Sequence, residues 1–251
     1  MGGLLDSLER ALIKQRRKRL SSTIFEKYGG VVQAGPFAGL KLDGRSNVSR
    51  GPLAIKLFGL YESEVLAVMQ AAGPFSDVVN IGAADGYFSL GLLRAGLAKR
   101  SICFETTREG RAAIARNAAE NGLADRVVVL GTADDGLAGH LGAAGFDPRD
   151  ALMLCDIEGA EFSVLSPAVL AALQGAVMIV ELHDRVTPGS PDRRAQLVAR
   201  LPAGYAHRVI TSRPAQWAGI PDFESLGDND RALVTSEGRK ALGEWLVASP
   251  S

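Results

Sequence analysis

From residue 76 onward, short apolar segments alternate with segments of helical periodicity, and this alternation constrains the fold more than any other feature of the chain. The apolar segments are Asp77–Ile81, Ser101–Glu105, Arg126–Leu130, Ala151–Asp156 and Ala176–Leu182. Segments that are apolar almost throughout are typical of strands buried on both faces of a parallel sheet. Helical segments near residues 86–98, 108–122, 135–142 and 160–173 separate them. Because crossovers between parallel strands are right-handed, the pattern predicts a doubly wound α/β fold.

The two ends of the chain have weaker patterns. Before the alternation we expect a helix over residues 3–20, a short helix Ser21–Lys27, a strand near Gly39–Leu42 and an amphipathic helix Tyr61–Ala72. After it we expect a helix Pro191–Leu201 and two strands, Ala206–Thr211 and Ala232–Thr235. The long connection 212–230 is typical of a lid or a binding loop. We therefore predict an N-terminal segment, residues 1–60, that packs on a main domain of residues 61–251.

Charge and composition exclude several classes of protein. The 251 residues contain 28 basic and 28 acidic side chains, so no net field attracts nucleic acid, and we expect no nucleic-acid partner. We also expect no transmembrane helix and a cytoplasmic protein, since no apolar run approaches the roughly 18 residues that a spanning helix needs. The local exception is the basic run Lys14–Arg19, which is either a solvated helix end or a contact for a membrane surface or a polyanion.

A turn of small residues follows the first apolar strand. Gly82, Ala84 and Gly86 lie between Val78–Ile81 and a helix that begins near Tyr87. Small residues let the backbone approach a ligand closely, and a helix N-terminus offers free N–H groups. The dinucleotide fingerprint requires a third small residue at a fixed distance, where this chain has Tyr87 or Ser89. The spacing suits the turn of a methyltransferase better.

An acidic residue at the end of the second strand strengthens this interpretation. Glu105 lies 23 residues beyond Gly82, directly after an apolar strand. In nucleoside-binding sheets, an acid at this place accepts hydrogen bonds from both ribose hydroxyls. A carboxylate suits that task because its two oxygens match a vicinal diol. The alternative is a solvent-exposed strand end.

Five runs, taken in order, resemble the FkbM-like class of S-adenosylmethionine-dependent methyltransferases. They are VVNIGAADGYFSL, CFETT, RNAAENGL, LCDIEGAEFSVL and VELHD, between residues 61 and 184. The most specific is Asp156–Phe162, close to the Asp-Val-Glu-Gly-x-Glu of that family. The resemblance implies a Rossmann-like sheet of seven strands in the order 3-2-1-4-5-7-6, with an antiparallel last strand. It would separate Cys103 from Cys155 by the first strand, which excludes a disulfide between them.

The resemblance also implies S-adenosylmethionine as cofactor and a set of residues that bind it. Gly82, Ala83 and Gly86 would line its methionine side, Glu105 would hold the ribose and Asp134 would lie near the adenine amine. The complete set is Asn80, Gly82, Ala83, Asp85, Gly86, Tyr87, Phe88, Glu105, Thr106, Asp134 and Asp156. Asn80 replaces an aspartate that is usual in the family, and Asp85 offers a carboxylate near the ammonium instead.

Four polar side chains are expected to converge where the fourth and fifth strands end. They are Asp156, Glu158, Glu181 and His183. We predict that His183 is the general base for a hydroxyl acceptor, since a free imidazole titrates near pH 6.5, with Asp156 and Glu158 as the other catalytic residues. A structural histidine is the alternative. We assign no metal, although three acids and a histidine are suitable ligands for a divalent cation.

The acceptor expected from the resemblance is a hydroxyl of a sugar, glycolipid or secondary metabolite, bound as a small molecule or a glycan. Trp217, in the long connection, is a candidate to stack on such a ring. Two alternatives remain open at this point. One is a nicotinamide-dependent oxidoreductase, and the other is a non-catalytic nucleoside-binding module on the same fold.

Overall fold

Seven strands of the computed structural model form a single mixed sheet. The structure describes residues 2–44, 52–134, 136–184, 192–237, 239 and 242–251, with side chains from residue 7 onward. The strands are β1 Phe75–Ile81, β2 Ala98–Phe104, β3 Val127–Leu130, β4 Leu152–Cys155, β5 Val177–Glu181, β6 Tyr205–Thr211 and β7 Glu244–Pro250. Their order is β3-β2-β1-β4-β5-β7-β6. Strands β1 to β5 pair in parallel and β7 is antiparallel to both neighbours, which confirms the predicted fold class and strand order.

Helices cover both faces of this sheet. Within the described ranges they are α1 Gly2–Lys27, α2 Leu53–Leu57, α3 Ser63–Ala72, α4 Tyr87–Arg94, α5 Arg108–Glu120, α6 Leu137–Ala143, α7 Glu161–Val164, α8 Pro167–Ala172, α9 Arg193–Ala199, α10 Pro221–Glu224 and α11 Asp228–Thr235. Alternate residues of each strand face opposite layers. Val78 of β1 therefore packs in one core with Met69 and Leu90, whereas Val79 packs in another with Leu141 and Val169. Both layers are built on the strands that position the candidate site.

The N-terminal region differs from its prediction in two respects. The two helices expected over residues 3–20 and Ser21–Lys27 form one continuous helix, α1. Ser21, at the expected boundary between them, is buried within it. The basic run Lys14–Arg19 consequently lies in the middle of a helix, so the interpretation as a helix end is wrong. In place of the strand near Gly39–Leu42, one isolated bridge joins Val31 to Lys41. Residues of this region, such as Phe37, belong to the main core, and a domain boundary at residue 60 stays a prediction.

The segment 160–173 was predicted as one helix and is two. Helix α7 ends at Val164, and α8 starts at Pro167 after Ser166, whose hydroxyl accepts a hydrogen bond from the N–H of Val169 at 3.4 Å. A proline is tolerated in the first turn of a helix but breaks its interior. The break therefore follows directly from Pro167.

The last strand was predicted at the wrong place. Residues Ala232–Thr235 belong to helix α11, and the strand that closes the sheet is β7, Glu244–Pro250. The run Ala232–Thr235 is too short to distinguish a strand from the buried side of a helix by periodicity, and the buried Val234 serves the helix here. The connection 212–230 contains α10 and the start of α11 instead of an irregular loop. Helix α9 is confirmed over Arg193–Ala199, but Pro191 and residue 135 lie outside the described residues.

Two further expectations concern cysteines and membranes. Cys103 lies on β2 and Cys155 on β4, with β1 between them, and both thiols are free and buried. The expected absence of a disulfide between them is confirmed. In the described part of the chain, every helix is too short or too polar to cross a membrane.

Candidate functional site

The turn after β1 adopts a conformation that only small residues accommodate. Gly82, Ala84 and Gly86 have positive φ angles of 87°, 52° and 84°. A Cβ atom on Gly82 would lie 1.9 Å from the backbone oxygen of Asp156, so any larger residue would push β1 away from β4. The N–H groups of Gly82 and Ala83 donate to the carbonyl of Phe104 at 2.9 and 3.0 Å. The turn is therefore clamped between the ends of β2 and β4.

Glu105 is joined to this turn. It follows β2, is 8% exposed, and accepts a hydrogen bond from the N–H of Ala84 at 3.0 Å. Its other oxygen accepts from the N–H and the hydroxyl of Thr107, each at 2.7 Å. A carboxylate offers about four acceptor positions, so one remains for a ligand in this conformation. The side chain therefore lies directly against the turn.

Asn80 and Asp85 have partners inside the protein. Asn80 is buried below the turn and donates to the hydroxyl of Ser89 at 2.9 Å. Asp85 is buried and lies 3.1 Å, through each oxygen, from the ammonium of Lys56. Lys56 itself is 4% exposed and lies 5.2 and 5.1 Å from the rings of Tyr61 and Tyr87. A buried cation thus compensates the carboxylate that was expected to face the cofactor's ammonium.

Sequence analysis missed Lys56, although a signal existed. It is the one charged residue in the apolar run Leu53–Phe58. A lysine is almost never buried without a partner, so its presence there indicates a buried acid. The sequence alone does not identify that acid as Asp85.

The remaining residues expected near the cofactor differ in exposure. Tyr87 is fully buried beneath the turn against Phe37, at 5.2 Å between ring centroids, and Phe88 is half-buried beside it. Thr106 is exposed, and its carbonyl accepts from Arg111. Asp134 is exposed after β3, and its carboxylate accepts from the N–H of Gly136 at 2.8 Å. Tyr87 is therefore part of the core next to the turn, whereas Thr106 and Asp134 face solvent.

His183 lies at the centre of the acidic cluster that follows β4 and β5. Its Nε2 is 3.8 Å from Asp156, 3.6 Å from Glu158 and 3.7 Å from Glu181. Its Nδ1 is 3.3 Å from Glu161. Asp156, Glu158, Glu181 and His183 thus lie together, as expected. One atom of this group, Oδ1 of Asp156, is buried and has no hydrogen-bond partner among the described residues.

Glu161 holds His183 in place and was not predicted to do so. It is completely buried and accepts from the N–H groups of Gly159 at 2.8 Å and of His183 at 2.9 Å. These contacts tie the loop after β4 to the loop after β5. The signal was the second glutamate of the Asp156–Phe162 motif, which sequence analysis used only for the resemblance.

A second buried ion-pair network adjoins this cluster. The guanidinium of Arg239 binds Glu181 and Glu62, which are 4% and 1% exposed, and it also binds Glu237. One oxygen of Glu62 is buried without a hydrogen-bond partner. Neither Glu62 nor Arg239 stands in a pattern that the sequence reveals, because their contact joins positions 177 residues apart.

Burial and neighbouring charges shift the pKa values in this cluster. Burial lowers the pKa of His183, but its hydrogen bond with Glu161 and the charges of Glu181, Glu161 and Asp156 outweigh that effect and raise the pKa to about 9. Burial, and then the charge of Glu181, raise the pKa of Asp156 well above its usual range. Burial does the same for the pKa of Glu62, against the charge of Arg239. His183 is therefore protonated at neutral pH, contrary to the expectation of a neutral imidazole.

Three of these residues also have the geometry of a cation site. One ligand atom from each of Asp156, Glu158 and His183 lies within 4.8 Å of the other two. The side chain of Glu158 is 89% exposed, so one side of the group faces solvent. Oxygen and imidazole ligands at such spacing suit Mg²⁺, Mn²⁺ or Zn²⁺. The arrangement serves equally as a proton-accepting cluster.

A cavity of about 750 Å³ opens beside Arg239. Its walls are the start of the connection after β6, helix α11 and the segment before β7. The lining residues are Ser212, Arg213, Pro214, Ala215, Trp217, Asp228, Arg231, Ala232, Thr235, Ser236, Glu237, Arg239 and Leu242. The volume is typical of small-molecule sites. Because Arg239 binds Glu181, one residue joins the cavity to the acidic cluster.

Backbone strain is concentrated at the same place. Within the described residues, four that are not glycine have positive φ angles: Glu62, Ala84, Asp150 and Glu158. Ala84 belongs to the turn, Glu158 to the acidic cluster and Glu62 to the adjoining ion-pair network. Such conformations cost about 1–3 kcal/mol each and persist mainly where the surrounding structure requires them, as at binding sites. The strain therefore marks the same region as the side chains do.

Comparisons with known proteins relate the chain to others through its fold. No family model and no curated protein sequence matches it. Among solved structures, the O-methyltransferase from Bacillus cereus in complex with SAH is 16% identical, with a TM-score of 0.50 over 74% of this chain and 78% of that chain. The precorrin-6y C5,15-methyltransferase from Geobacter metallireducens is 16% identical, with a TM-score of 0.48 over 75% and 87%. The M1A22 tRNA methyltransferase of Bacillus subtilis is 14% identical, with a TM-score of 0.48 over 76% and 66%. The likeness to the Bacillus cereus enzyme shows that this chain has the fold of a methyltransferase.

Proposed function

We propose that the protein is an S-adenosylmethionine-dependent methyltransferase of the FkbM-like class that methylates a hydroxyl group. The observation that carries this proposal is the hydrogen bond between Glu105 and the N–H of Ala84. It joins the glycine turn to the proposed ribose-binding acid, two features that the sequence separates, at the carboxyl ends of β1 and β2. Ligands of doubly wound sheets bind at such an edge.

The cofactor would supply the methyl group, and the residues around the turn would hold it. Gly82, Ala83 and Gly86 allow its methionine part to approach the backbone, and Asp134 faces its adenine. Glu105 binds the ribose diol, for which the hydroxyl of Thr107 gives up its hydrogen bond with that carboxylate. Asp85 contributes charge near the ammonium only as a pair with Lys56.

His183 would act as the base at the neighbouring strand ends. Nε2 of His183 would take the proton of the acceptor hydroxyl, and the bound cofactor would supply the methyl group and keep the electron pair of its carbon–sulfur bond on sulfur. Glu161 fixes the imidazole through Nδ1 and leaves Nε2 toward Asp156 and Glu158. These two acids stabilise the imidazolium that forms. Much of the rate enhancement comes from holding the acceptor in line.

The cavity beside Arg239 is the proposed acceptor site, for a small hydroxylated molecule or a glycan. Trp217 lines it and offers a ring face, although Arg231 already lies 4.5 Å from that ring. Truncation to Trp217→Ala should raise the KM of the acceptor and leave the Kd of S-adenosylmethionine unchanged. An unchanged KM with a weakened cofactor would contradict this placement.

Calorimetric titration tests the cofactor first. We expect binding of S-adenosylmethionine and S-adenosylhomocysteine but not of NAD. Glu105→Ala should weaken both by about 10- to 100-fold, as expected for the loss of a charge-assisted hydrogen bond. Glu26→Ala, which removes an exposed carboxylate on α1, is the control and should bind like the wild type. Binding of NAD instead would favour an oxidoreductase. Cofactor binding without turnover on any acceptor would favour a binding module.

A further inference from the structure

Helix α1 exposes apolar side chains that do not belong to the hydrophobic core. From Ser7 to Arg16 every side chain is exposed, and the buried side chains of α1 among the described residues, Ser21 and Ile24, lie further along the helix. Leu8, Leu12 and Ile13 are 59%, 57% and 45% exposed, and they are three of the five large apolar side chains exposed in the described part of the protein. Leu8 and Leu12 are four residues apart and therefore share one side of the helix.

The same stretch has a strong positive charge. Between Ser7 and Leu20 there are six basic residues and one acidic residue, in a chain whose net charge is zero. They divide into two groups. Arg16 binds Asp230 and Arg17 binds the carbonyl of Ser236, so these two attach α1 to helix α11 and the segment after it. Arg10, Lys14, Lys18 and Arg19 are exposed, and none of them forms an ion pair with an acid among the described residues.

Two of these basic side chains lie near the leucines. At about 100° per residue, Arg19 lies in line with Leu8 and Leu12, about two turns beyond Leu12, and Lys18 lies about 100° to one side of that line. Long basic side chains in this position extend to anionic headgroups while neighbouring leucines enter the boundary of the acyl chains. The basic run Lys14–Arg19 lies in the middle of α1 and not in its last turn. The negative end of the helix dipole is therefore too far away to explain these charges.

We propose that α1 docks the protein on an anionic lipid surface. The charge alone would suit the phosphates of RNA equally well, but RNA offers no apolar surface on which Leu8 and Leu12 would be buried. A second copy of α1 would bury the leucines at the cost of placing like charges together. An anionic bilayer satisfies both the charges and the leucines.

Sedimentation of the full-length protein with vesicles tests this docking. The protein should bind vesicles of phosphatidylcholine with phosphatidylglycerol, and not vesicles of phosphatidylcholine alone. Lys18→Gln with Arg19→Gln should weaken binding about thirtyfold. Leu8→Ser with Leu12→Ser should weaken it at least as much. Lys99→Gln with Arg208→Gln removes two exposed charges elsewhere and should leave the affinity within twofold.

Each other result overturns the proposal. Absence of binding to the anionic vesicles contradicts it directly, and so does binding that persists in both α1 variants. Binding of duplex RNA that the variant at Lys18 and Arg19 loses and the leucine variant keeps, measured by gel shift, would identify RNA as the partner. A dimer by light scattering that only the leucine variant dissociates would identify a second copy. Circular dichroism of all variants controls for folding, since every substituted side chain is exposed.

Discussion

The imidazole of His183 is surrounded by four carboxylates, and this environment determines when it acts as a base. Its pKa of about 9 means that the neutral form is scarce at pH 7 and increases about tenfold per pH unit up to that value. The turnover number should therefore rise with pH toward about 9 and then level off. His183→Gln should be slower by about 100-fold or more and should lose this dependence, in a radiometric assay from pH 6 to pH 10.

The control for this measurement is the exposed histidine of α6. His140→Gln should keep both the rate and the pH profile of the wild type. A profile that is flat in the wild type would argue against His183 as the base. Activity that disappears with EDTA and returns with Mg²⁺ would assign Asp156, Glu158 and His183 to a cation instead.

Arg239 is the residue whose loss should destabilise the protein most directly. It binds two almost fully buried carboxylates, those of Glu62 and Glu181. Removing one partner of a buried ion pair leaves an uncompensated charge, so Arg239→Gln should lower the free energy of unfolding by about 3–5 kcal/mol in urea titrations at pH 7. Because the pKa of Glu62 is already raised by burial, protonation should reduce this loss at pH 5.

Arg149→Gln is the matched control because it breaks an exposed pair with Asp147. It should leave the free energy of unfolding close to that of the wild type, because an exposed ion pair contributes little to stability. An equal loss in the two variants would mean that the network around Arg239 contributes no more than a surface ion pair.

At the scale of elements, the turn after β1 depends on the absence of one side chain. In Gly82→Ala, the new Cβ would overlap the carbonyl of Asp156, and the backbone has a positive φ as well. We expect a loss of about 3 kcal/mol or more in unfolding experiments, and a loss of cofactor binding by calorimetry, because β1 must move away from β4.

Gly122→Ala separates these two causes. Gly122 also has a positive φ, of 66°, but no atom lies within 4 Å of the position of a Cβ. This substitution should cost only about 1 kcal/mol and leave cofactor binding intact. Similar losses at the two glycines would show that φ, and not the contact with Asp156, decides the cost.

Elements with a strong periodic pattern were predictable from the sequence, and those that depend on distant partners were not. Strands β1, β2, β4 and β5 are largely buried on both faces, and the edge strand β3 is half-buried, so their apolar runs identify all five without further context. Helix α11 and strand β7 have runs of four to seven residues whose state is decided by tertiary packing. The break at Pro167 was visible in the sequence and was overlooked.

The candidate site divides in the same way. Asp156, Glu181 and His183 were predictable as neighbours because parallel strands bring their carboxyl ends to one edge. The partners that determine their chemistry were not, since Arg239 and Glu62 come from segments whose position the sheet does not dictate. The pKa of His183 is raised by its hydrogen bond with Glu161 and by the charges of Glu181, Glu161 and Asp156, which the free-imidazole value behind the expected neutral form does not include.

At the scale of the whole molecule, the partly buried carboxylate of Asp222 joins α10 to the C-terminal end of α1. Asp222 binds both Lys27 and Tyr28, at 2.5 Å each. Burial alone would raise the pKa of Asp222, but the hydrogen bonds from Lys27 and Tyr28 lower it below its usual range. Its contribution to stability is therefore present above the unfolded pKa, about 3.9, and disappears as the pH falls through the lower folded value.

We expect Asp222→Asn to release the C-terminal part of α1 already at neutral pH. Hydrogen exchange of residues 16–27 should become faster in this variant, and exchange in the wild type should increase in the same way only in acid. Asp147→Asn, whose carboxylate pairs only with the exposed Arg149, should leave α1 unchanged. Equal protection in the wild type and in Asp222→Asn would show that α1 is held by its apolar contacts alone.

Because α11 contacts α1 and also lines the cavity, docking of α1 on lipid would bring the proposed acceptor site to the membrane.

The two buried thiols can report how often the centre of the sheet opens. Cys103 and Cys155 lie on either side of β1, in register with Asn80 and Ile81 just before the turn. A thiol reagent reaches them only when the centre of the sheet opens, so the rate of labelling under native conditions measures the free energy of that opening. A ligand that binds to the turn stabilises the closed state of the sheet and should slow the labelling in proportion. The dependence of the labelling rate on ligand concentration therefore gives the affinity of a cofactor in a spectrophotometric thiol assay.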